Sequence, residues 1–171
     1  MKKIIVVLIL SFVLSSAYGS IITQAGAETM NFKLVSMVEK METVQVSGIE
    51  RVVLGVLDRK GLSIFENGDI ATTECRSIFD TQKGFQGYST LTFKDGSTVL
   101  VSWKGPASSV SPDGSYREYS APFEYVKGTG RFEGIKGNGT FSARAPIWDK
   151  DFTAKGFTYY EFAGTYSLSS K

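Results

Sequence analysis

The side chains most used in catalysis are scarce in this sequence. It contains no histidine and a single cysteine, Cys75. Without histidine, Ser-His-Asp and Cys-His catalysis and the common zinc sites are excluded. One cysteine can form neither a thiolate metal cluster nor a Cys-x-x-Cys redox pair. We therefore predict no metal and no cofactor, which leaves carboxylates and tyrosines as the groups that could do chemistry.

Glu74 is the carboxylate that stands out, because it lies in the middle of the strand-like run "IATTECRSIF". Neighbours in an extended strand point to opposite sides, so Glu74 and Cys75 must face opposite ways. An inward Glu74 would have a raised pKa and could act as a general acid or base. An outward Glu74 would be a solvated surface group, with Cys75 in the core. Glu74 is the candidate catalytic residue, and Glu50 and Glu161 present the same two alternatives.

Aromatic side chains are the candidates for binding. Tyrosine and tryptophan combine an apolar ring with a polar tip, which suits the mouth of a ligand cavity. We take Tyr88, Trp103 and Tyr125 as candidate ligand-binding residues. The alternative is that these rings only fill the core and rim of a solid protein.

The stretch "YVKGTGRFEGIKGNGTF" (125–141) contains five glycines and could suggest a phosphate-binding loop. A dinucleotide fingerprint starting at Gly128 would need glycine where Glu133 stands, and no amphipathic helix follows. A P-loop would need lysine where Thr140 stands. The glycines therefore predict a turn between strands, with Gly128 and Gly130 in backbone conformations that other residues avoid.

The elements that must position these residues are strands. Turn signals recur at short intervals, at Arg59-Lys60-Gly61, Asn67-Gly68, Lys83-Gly84, Asp95-Gly96, Asp113-Gly114, 128–139 and Lys155-Gly156. Asn-Gly and Asp-Gly are strong hairpin signals. The β-branched and aromatic runs between the turns predict strands at Phe32–Val46, Val52–Leu57, Ile70–Phe79, Tyr88–Phe93, Thr98–Trp103, Phe123–Lys127, Gly139–Ala145 and Phe157–Leu168.

Only "LVSMVEKMETV" (34–44) approaches a helical period, so a helix there is the alternative to a long, bent or bulged strand. Strands joined by short turns favour a meander, and closure into a barrel would remove the exposed edges. We therefore predict an all-β protein with a single antiparallel β-barrel of seven or eight strands.

The N-terminus predicts export. Lys2 and Lys3 precede an apolar run, Ile4–Leu14, that is too short to span a bilayer. Small residues then offer cleavage after Ala27, which we favour, or after Gly19. Residues 1–27 thus form the predicted signal peptide, and residues 28–171 form the barrel domain.

Removing the signal changes the charge of the chain. The whole sequence has 19 basic and 17 acidic residues, and the signal contains two lysines and no acid, so the mature chain carries 17 of each. A neutral chain without a basic surface predicts binding to neither nucleic acid nor membrane.

The C-terminal half carries a family resemblance. "GTGRFEGIKGNGTF", preceded by "FEYVKG" and followed by "FTYYEFAGTYSL", resembles the allene oxide cyclase-like barrel superfamily, which includes plant allene oxide cyclases and dirigent proteins. With "GYSTLTFKDGST" it is most similar to small exported bacterial members, over roughly residues 48–168. The resemblance implies a barrel with an apolar cavity that contains a few polar groups, and it assigns no catalytic residue.

Three functions follow as hypotheses. The first is a periplasmic or secreted protein that binds a small hydrophobic ligand in the barrel. The second is a cofactor-free isomerase or cyclase acting on a small hydrophobic substrate. The third is a filled barrel that acts as an oligomeric interaction protein, so a homo-oligomer remains an open expectation. A buried carboxylate beside a cavity would favour the second hypothesis over the first.

Overall fold

The computed structural model describes residues 26–49, 52–148 and 156–169. These residues form nine strands and one short 3₁₀ helix. The strands are β1 (Glu28–Gln45), β2 (Val53–Phe65), β3 (Ile70–Asp80), β4 (Gly84–Phe93), β5 (Thr98–Gly105), β6 (Ser109–Val110), β7 (Tyr116–Gly128), β8 (Ile135–Pro146) and β9 (Phe157–Leu168). The 3₁₀ helix, Gly130–Phe132, lies between β7 and β8. No helix in the described ranges has the length and hydropathy of a membrane span.

The eight long strands close into one antiparallel barrel. Each pairs with its neighbour along the chain, β1 also pairs with β9, and β5 pairs with β7. The two-residue strand β6 pairs with the N-terminal end of β7, at Arg117 and Glu118. Closure leaves no long unpaired edge, which is the reason that the meander predicted a barrel. The predicted all-β class and the antiparallel barrel are confirmed, with eight strands in the wall.

The ambiguous N-terminal segment is a strand. Residues 34–44 lie within β1, which shifts register against β2 between Val38 and Lys40 and so contains the expected irregularity. β1 begins at Glu28, the residue after the favoured cleavage site. Residues 1–25 lie outside the described residues, and cleavage stays a prediction.

One turn prediction is wrong. The sequence Arg59-Lys60-Gly61 lies in the middle of β2, which continues to Phe65 instead of ending at Leu57. β2 alternates regularly through this segment: Arg59 is buried, Lys60 is exposed and Ser63 is buried again. Pairing with both β1 and β3 along its length holds β2 extended where local sequence favours a turn.

The barrel has two unlike ends. We call the end with the β2–β3, β4–β5 and β7–β8 turns the closed end, and the opposite end the open end. Aromatic rings fill the closed end in close pairs. They include Phe32–Phe162 with ring centroids 4.4 Å apart, Phe65–Phe93 at 5.1 Å, Phe93–Phe132 at 4.7 Å and Phe123–Tyr125 at 5.3 Å.

The glycine-rich stretch seals the closed end. Gly130 has φ +60°, a left-handed conformation that the 3₁₀ turn requires. The turn places the Phe132 ring in the core and the Arg131 guanidinium 4.7 Å above the Phe93 ring. Arg131 Nη2 also donates to Asp69 Oδ2 at 2.6 Å. The predicted turn at these glycines is confirmed, and its role is to cap the barrel. The prediction is wrong for the conformation of Gly128, which ends β7 without a positive φ; a Cβ there would instead lie 2.0 Å from the Phe132 carbonyl oxygen.

Candidate functional site

A cavity of ≈ 80 Å³ lies in the open half of the barrel. Its walls combine aromatic rings with small polar side chains. The rings come from Phe79, Phe85, Trp103, Tyr119, Phe141, Trp148, Tyr160 and Phe162, and the small polar groups from Ser36, Thr73, Cys75, Ser77 and Ser89. A few polar groups on a mostly apolar wall are the usual composition of a small-molecule site. The cavity is larger than the roughly 10–15 Å³ that one water needs and smaller than the roughly 300–1,000 Å³ of drug-sized pockets.

Arg59 is the unusual residue of this cavity. It points inward from the middle of β2 and is only 5% exposed. Its Nη1 donates to Thr158 Oγ1 of β9, and this is the one hydrogen bond of its guanidinium within the described residues. In the same part of the chain it forms no ion pair with a carboxylate. Because an arginine stays protonated in proteins, the cavity wall carries a buried positive charge.

Small residues on β1 and β2 provide the space that this long side chain crosses. Ser36 pairs with Gly61 on one side and with Thr158 on the other. A Cβ at Gly61 would lie 2.2 Å from the Val35 carbonyl oxygen and 2.8 Å from the Ser36 Cα, so only glycine lets the two backbones come this close. The guanidinium of Arg59 thereby passes from β2 to β9 across the inside of β1.

The Ser36 hydroxyl is buried without a hydrogen-bond partner in the described structure. The residue is 3% exposed and lines the cavity. A buried polar group that lacks a partner destabilises the fold by about 1–3 kcal/mol. Ser36 and the remaining N–H donors of Arg59 therefore provide unused hydrogen-bonding capacity on one wall.

Two pairs of other polar groups in the barrel interior form hydrogen bonds with each other. Trp103 Nε1 donates to Ser89 Oγ at 3.2 Å, and Tyr119 OH donates to Tyr160 OH at 2.9 Å. Burial, reinforced by the neighbouring Tyr160, raises the pKa of Tyr119 well above its ordinary value. Burial also raises the pKa of the Cys75 thiol. Both groups stay protonated at neutral pH, so neither supplies a ready base or nucleophile.

The rim of the cavity holds a second arginine. Arg117 Nε donates to Ser108 Oγ at 2.8 Å, and its guanidinium lies 5.3 Å from the centre of the Trp148 ring. The carboxylate on this rim is Asp80, whose Oδ1 accepts from the backbone N–H of Gln82 at 2.8 Å. That bond, followed by a second one from Lys83, lowers the pKa of Asp80. The described cavity lining thus carries two arginines and one aspartate.

The three predicted binding residues are separated by the structure. Trp103 lies inside the barrel and lines the cavity. Tyr88 is 58% exposed on the outer face, because it alternates with the inward Gly87 and Ser89. Tyr125 is buried among the rings of the closed end, where it does not line the cavity. Of the three, Trp103 alone lines the cavity, and its role in binding stays a prediction.

Neither Glu74 nor Glu161 lies in the cavity. The side chain of Glu74 is 73% exposed on the outer face, 3.9 Å from Lys60 Nζ, while Cys75 lines the cavity wall. The strand period fixes this choice, since Glu74 cannot face inward while Cys75 does. Glu161 is also on the outer face, 4.0 Å from Lys33 Nζ. Glu50 lies outside the described residues.

Sequence reasoning missed Arg59, the residue that gives the cavity its charge. The turn predicted at Arg59-Lys60-Gly61 placed Arg59 in a loop, so it was not predicted to point into the barrel. The signal was available in the period-2 pattern of "VLGVLDRKGLSIF", in which Val53, Leu57, Ser63 and Phe65 share one parity with Arg59.

Comparisons with known proteins place the fold. No protein-family model and no curated protein matches the chain. Among solved structures, a protein of unknown function from the DUF3224 family of Shewanella oneidensis MR-1 is 17% identical, with a TM-score of 0.50 over 85% of this chain and 100% of that one. This chain is therefore similar to that protein in fold.

Two pterocarpan synthase dirigent proteins are similar as well. PsPTS1 is 16% identical, with a TM-score of 0.46 over 85% of this chain and 97% of that protein. GePTS1 is 17% identical, with a TM-score of 0.43 over 94% of this chain and 100% of that protein. At these identities a similarity between structures concerns the fold alone.

Proposed function

We propose that this protein binds a small, mostly apolar molecule in the cavity at the open end of the barrel. The observation that carries the proposal is the unpartnered hydroxyl of Ser36 in a wall of aromatic rings. The closed end is filled by aromatic rings, whereas in the open half the inward face combines rings with small polar residues and leaves space. A ligand that packs on the rings and reaches Ser36 would satisfy that hydroxyl.

The protonation states of the cavity side chains favour binding over isomerase activity. Burial raises the pKa of both Tyr119 and Cys75, so both groups keep their protons at neutral pH and neither acts as a base. Asp80 is the one carboxylate of the described lining, and backbone hydrogen bonds occupy it. Export and a homo-oligomer remain predictions alongside this proposal.

The proposal is tested with a pair of variants that each remove an unpartnered buried hydroxyl. Ser36→Leu fills the cavity, whereas Tyr125→Phe changes only the closed end. Benzyl alcohol serves as the neutral probe, and its binding is followed by tryptophan fluorescence and by calorimetry. We expect the wild type and Tyr125→Phe to bind the probe equally, and Ser36→Leu to lose binding by tenfold or more while its melting temperature holds or rises.

Two outcomes would contradict the proposal. One is that the wild type binds neither benzyl alcohol nor any retained compound, as judged by native mass spectrometry of protein purified from its host. The other is that Ser36→Leu binds the probe as well as Tyr125→Phe does, which would place the probe elsewhere on the molecule.

A further inference from the structure

Arg59 allows the ligand to be defined more closely. We propose that the open-end cavity selects a small monocarboxylate, whose carboxylate accepts hydrogen bonds from the Arg59 guanidinium while its short apolar or single-ring body packs on the aromatic wall. This inference rests on the proposed function, since it names the class of molecule that the same cavity takes.

The first step is the state of the guanidinium. A charge that is 95% buried normally has a paired carboxylate, because desolvation of an isolated ion is costly. Arg59 instead bonds to one neutral hydroxyl, that of Thr158. Its interior neighbours include Cys75 and Tyr119, and burial raises the pKa of both groups, so both are neutral at physiological pH. Since no carboxylate of the described residues pairs with Arg59, an anionic ligand would supply the negative charge that the guanidinium lacks.

The second step is the shape of the donor set. A guanidinium presents parallel N–H groups that match the two oxygens of a carboxylate. Ser36 lies on the strand between Arg59's own strand and that of Thr158, and its hydroxyl has no partner. The hydroxyl can donate to the same carboxylate, which would satisfy both groups at once.

The third step is the size and charge of the ligand. One buried cation matches one negative charge, and a dianion such as phosphate normally requires more donors than this wall provides. Asp80 on the rim also disfavours a second negative charge at the mouth. The ≈ 80 Å³ of space limits the body of the acid to a short branched chain or one ring. Leu34, Phe141 and Phe162 provide the apolar surface against which such a body packs.

The test compares benzoate with its neutral isostere benzamide and with benzyl alcohol, by calorimetry at neutral pH. We expect the wild type to bind benzoate at least tenfold more tightly than benzamide. Arg59→Met should abolish this preference, because it removes the charged donors that bind the carboxylate, and Arg59→Lys should retain part of the preference. Arg117→Met, at the rim, is the matched control and should reduce the preference by less than threefold.

A second measurement detects benzoate binding on the wild-type protein, so it does not require any variant to bind a probe. The guanidinium NMR signals of Arg59, assigned by their loss in Arg59→Lys, should shift when benzoate is added to the wild type and not when benzamide is added. This readout decides the question even if Arg59→Met does not fold.

The two proposals fail in different ways. If none of the three probes binds, the proposed function fails. If benzyl alcohol binds but benzoate has no advantage over benzamide, or if Arg59→Met keeps that advantage, the carboxylate inference alone is overturned. Inorganic phosphate that displaces benzoate at equal or lower concentration would also overturn it, in favour of a phosphate ligand.

Discussion

The two halves of this barrel are made from the same strands and have opposite interiors. In the closed half, the rings of Phe32, Phe65, Phe93 and Phe132 contact one another, and the Arg131 cap seals them. In the open half, the same strands place Ser36, Arg59 and Ser89 inward, and space remains. The wall and its pairing are alike in both halves, so the choice of inward side chains, rather than the fold, decides whether a barrel is solid or hollow.

The difference also separates stability from function. Rings that pack in the closed half contribute apolar burial, the main favourable term in folding. A charged side chain and an unpartnered hydroxyl in the open half oppose folding. Groups that are unfavourable for the free protein and favourable for a bound ligand are expected at a binding site.

The largest expected effect comes from breaking the solid half. Phe123→Ala removes a ring that is 1% exposed and lies 5.4 Å from the Phe162 ring. We expect the free energy of unfolding to fall by about 3–5 kcal/mol, measured by urea denaturation. Phe79→Ala, beside the cavity at the open end, is the control and should cost less, because cavity space is already present. Equal losses at the two positions would contradict the contrast between the halves.

The cap of the closed end is the next target. Gly130→Val forces a branched side chain into a backbone with φ +60° and brings its Cβ to 2.4 Å from Ser97 Oγ. We expect the free energy of unfolding to fall by about 1–3 kcal/mol. Gly68→Val tests positive φ alone, since φ is +85° there and no atom lies within 4 Å of the added Cβ. If Gly130→Val lowers the free energy of unfolding no more than Gly68→Val does, the packing of the cap does not contribute to stability.

Arg59→Met should have the opposite sign. Replacing an unpaired buried charge by an apolar side chain of similar length is expected to raise the free energy of unfolding by about 1 kcal/mol in the absence of ligand. Chemical denaturation of the ligand-free protein measures it. A loss of stability of more than about 1 kcal/mol would show that the guanidinium supports the fold through its contact with Thr158.

The smallest expected effects distinguish two buried tyrosine hydroxyls. Tyr119 in the open half donates to Tyr160, so Tyr119→Phe should cost about 0.5–1.5 kcal/mol. Tyr125 in the closed half has no partner for its hydroxyl in the described structure, so Tyr125→Phe should cost nothing at neutral pH. Urea denaturation of the two variants makes the comparison, and a larger loss for Tyr125→Phe would reverse it.

The same hydroxyls predict an alkaline limit to stability. Burial, with a smaller effect of Tyr166, raises the pKa of Tyr125 in the folded protein, so the folded state keeps a proton that the unfolded state releases near pH 10. The stability from the neutral phenol is therefore complete below about pH 10 and is lost as pH rises above it. Tyr125→Phe should lessen this alkaline loss in pH-dependent melting, whereas Tyr88→Phe, on the outer face, is the control.

The sequence predicted the barrel well because its signals are local and repeated. A turn can be predicted from sequence where a turn glycine lies between two alternating strand segments, as Asp95-Gly96 does between β4 and β5. The same alternation predicts which way Tyr88 and Glu74 point. Applied strictly, it places both side chains on the outer face of the barrel. Arg59 was lost because a local turn signal competed with strand pairing, and pairing with β1 and β3 is a property of the whole sheet.

The depth of a residue along the barrel axis could not be predicted. Trp103 and Tyr125 both point inward, yet one reaches the cavity and the other the packed end. Depth depends on how far neighbouring strands are staggered, which is set by register between strands and by bulges such as the one between Leu100 and Val101. These register offsets add up from strand to strand around the barrel, so they cannot be predicted from the sequence of any single segment.

The position of β1 has a consequence for how the chain folds. β1 is the first strand along the chain, yet it lies between β2 and β9, with Phe32 opposite Phe162. A ribosome must therefore release the last strand before the first can be paired on both sides. Contacts between such distant segments make folding slow. Until β9 arrives, β1 and β8 both present open edges, which makes an incompletely synthesised chain prone to aggregation at two seams.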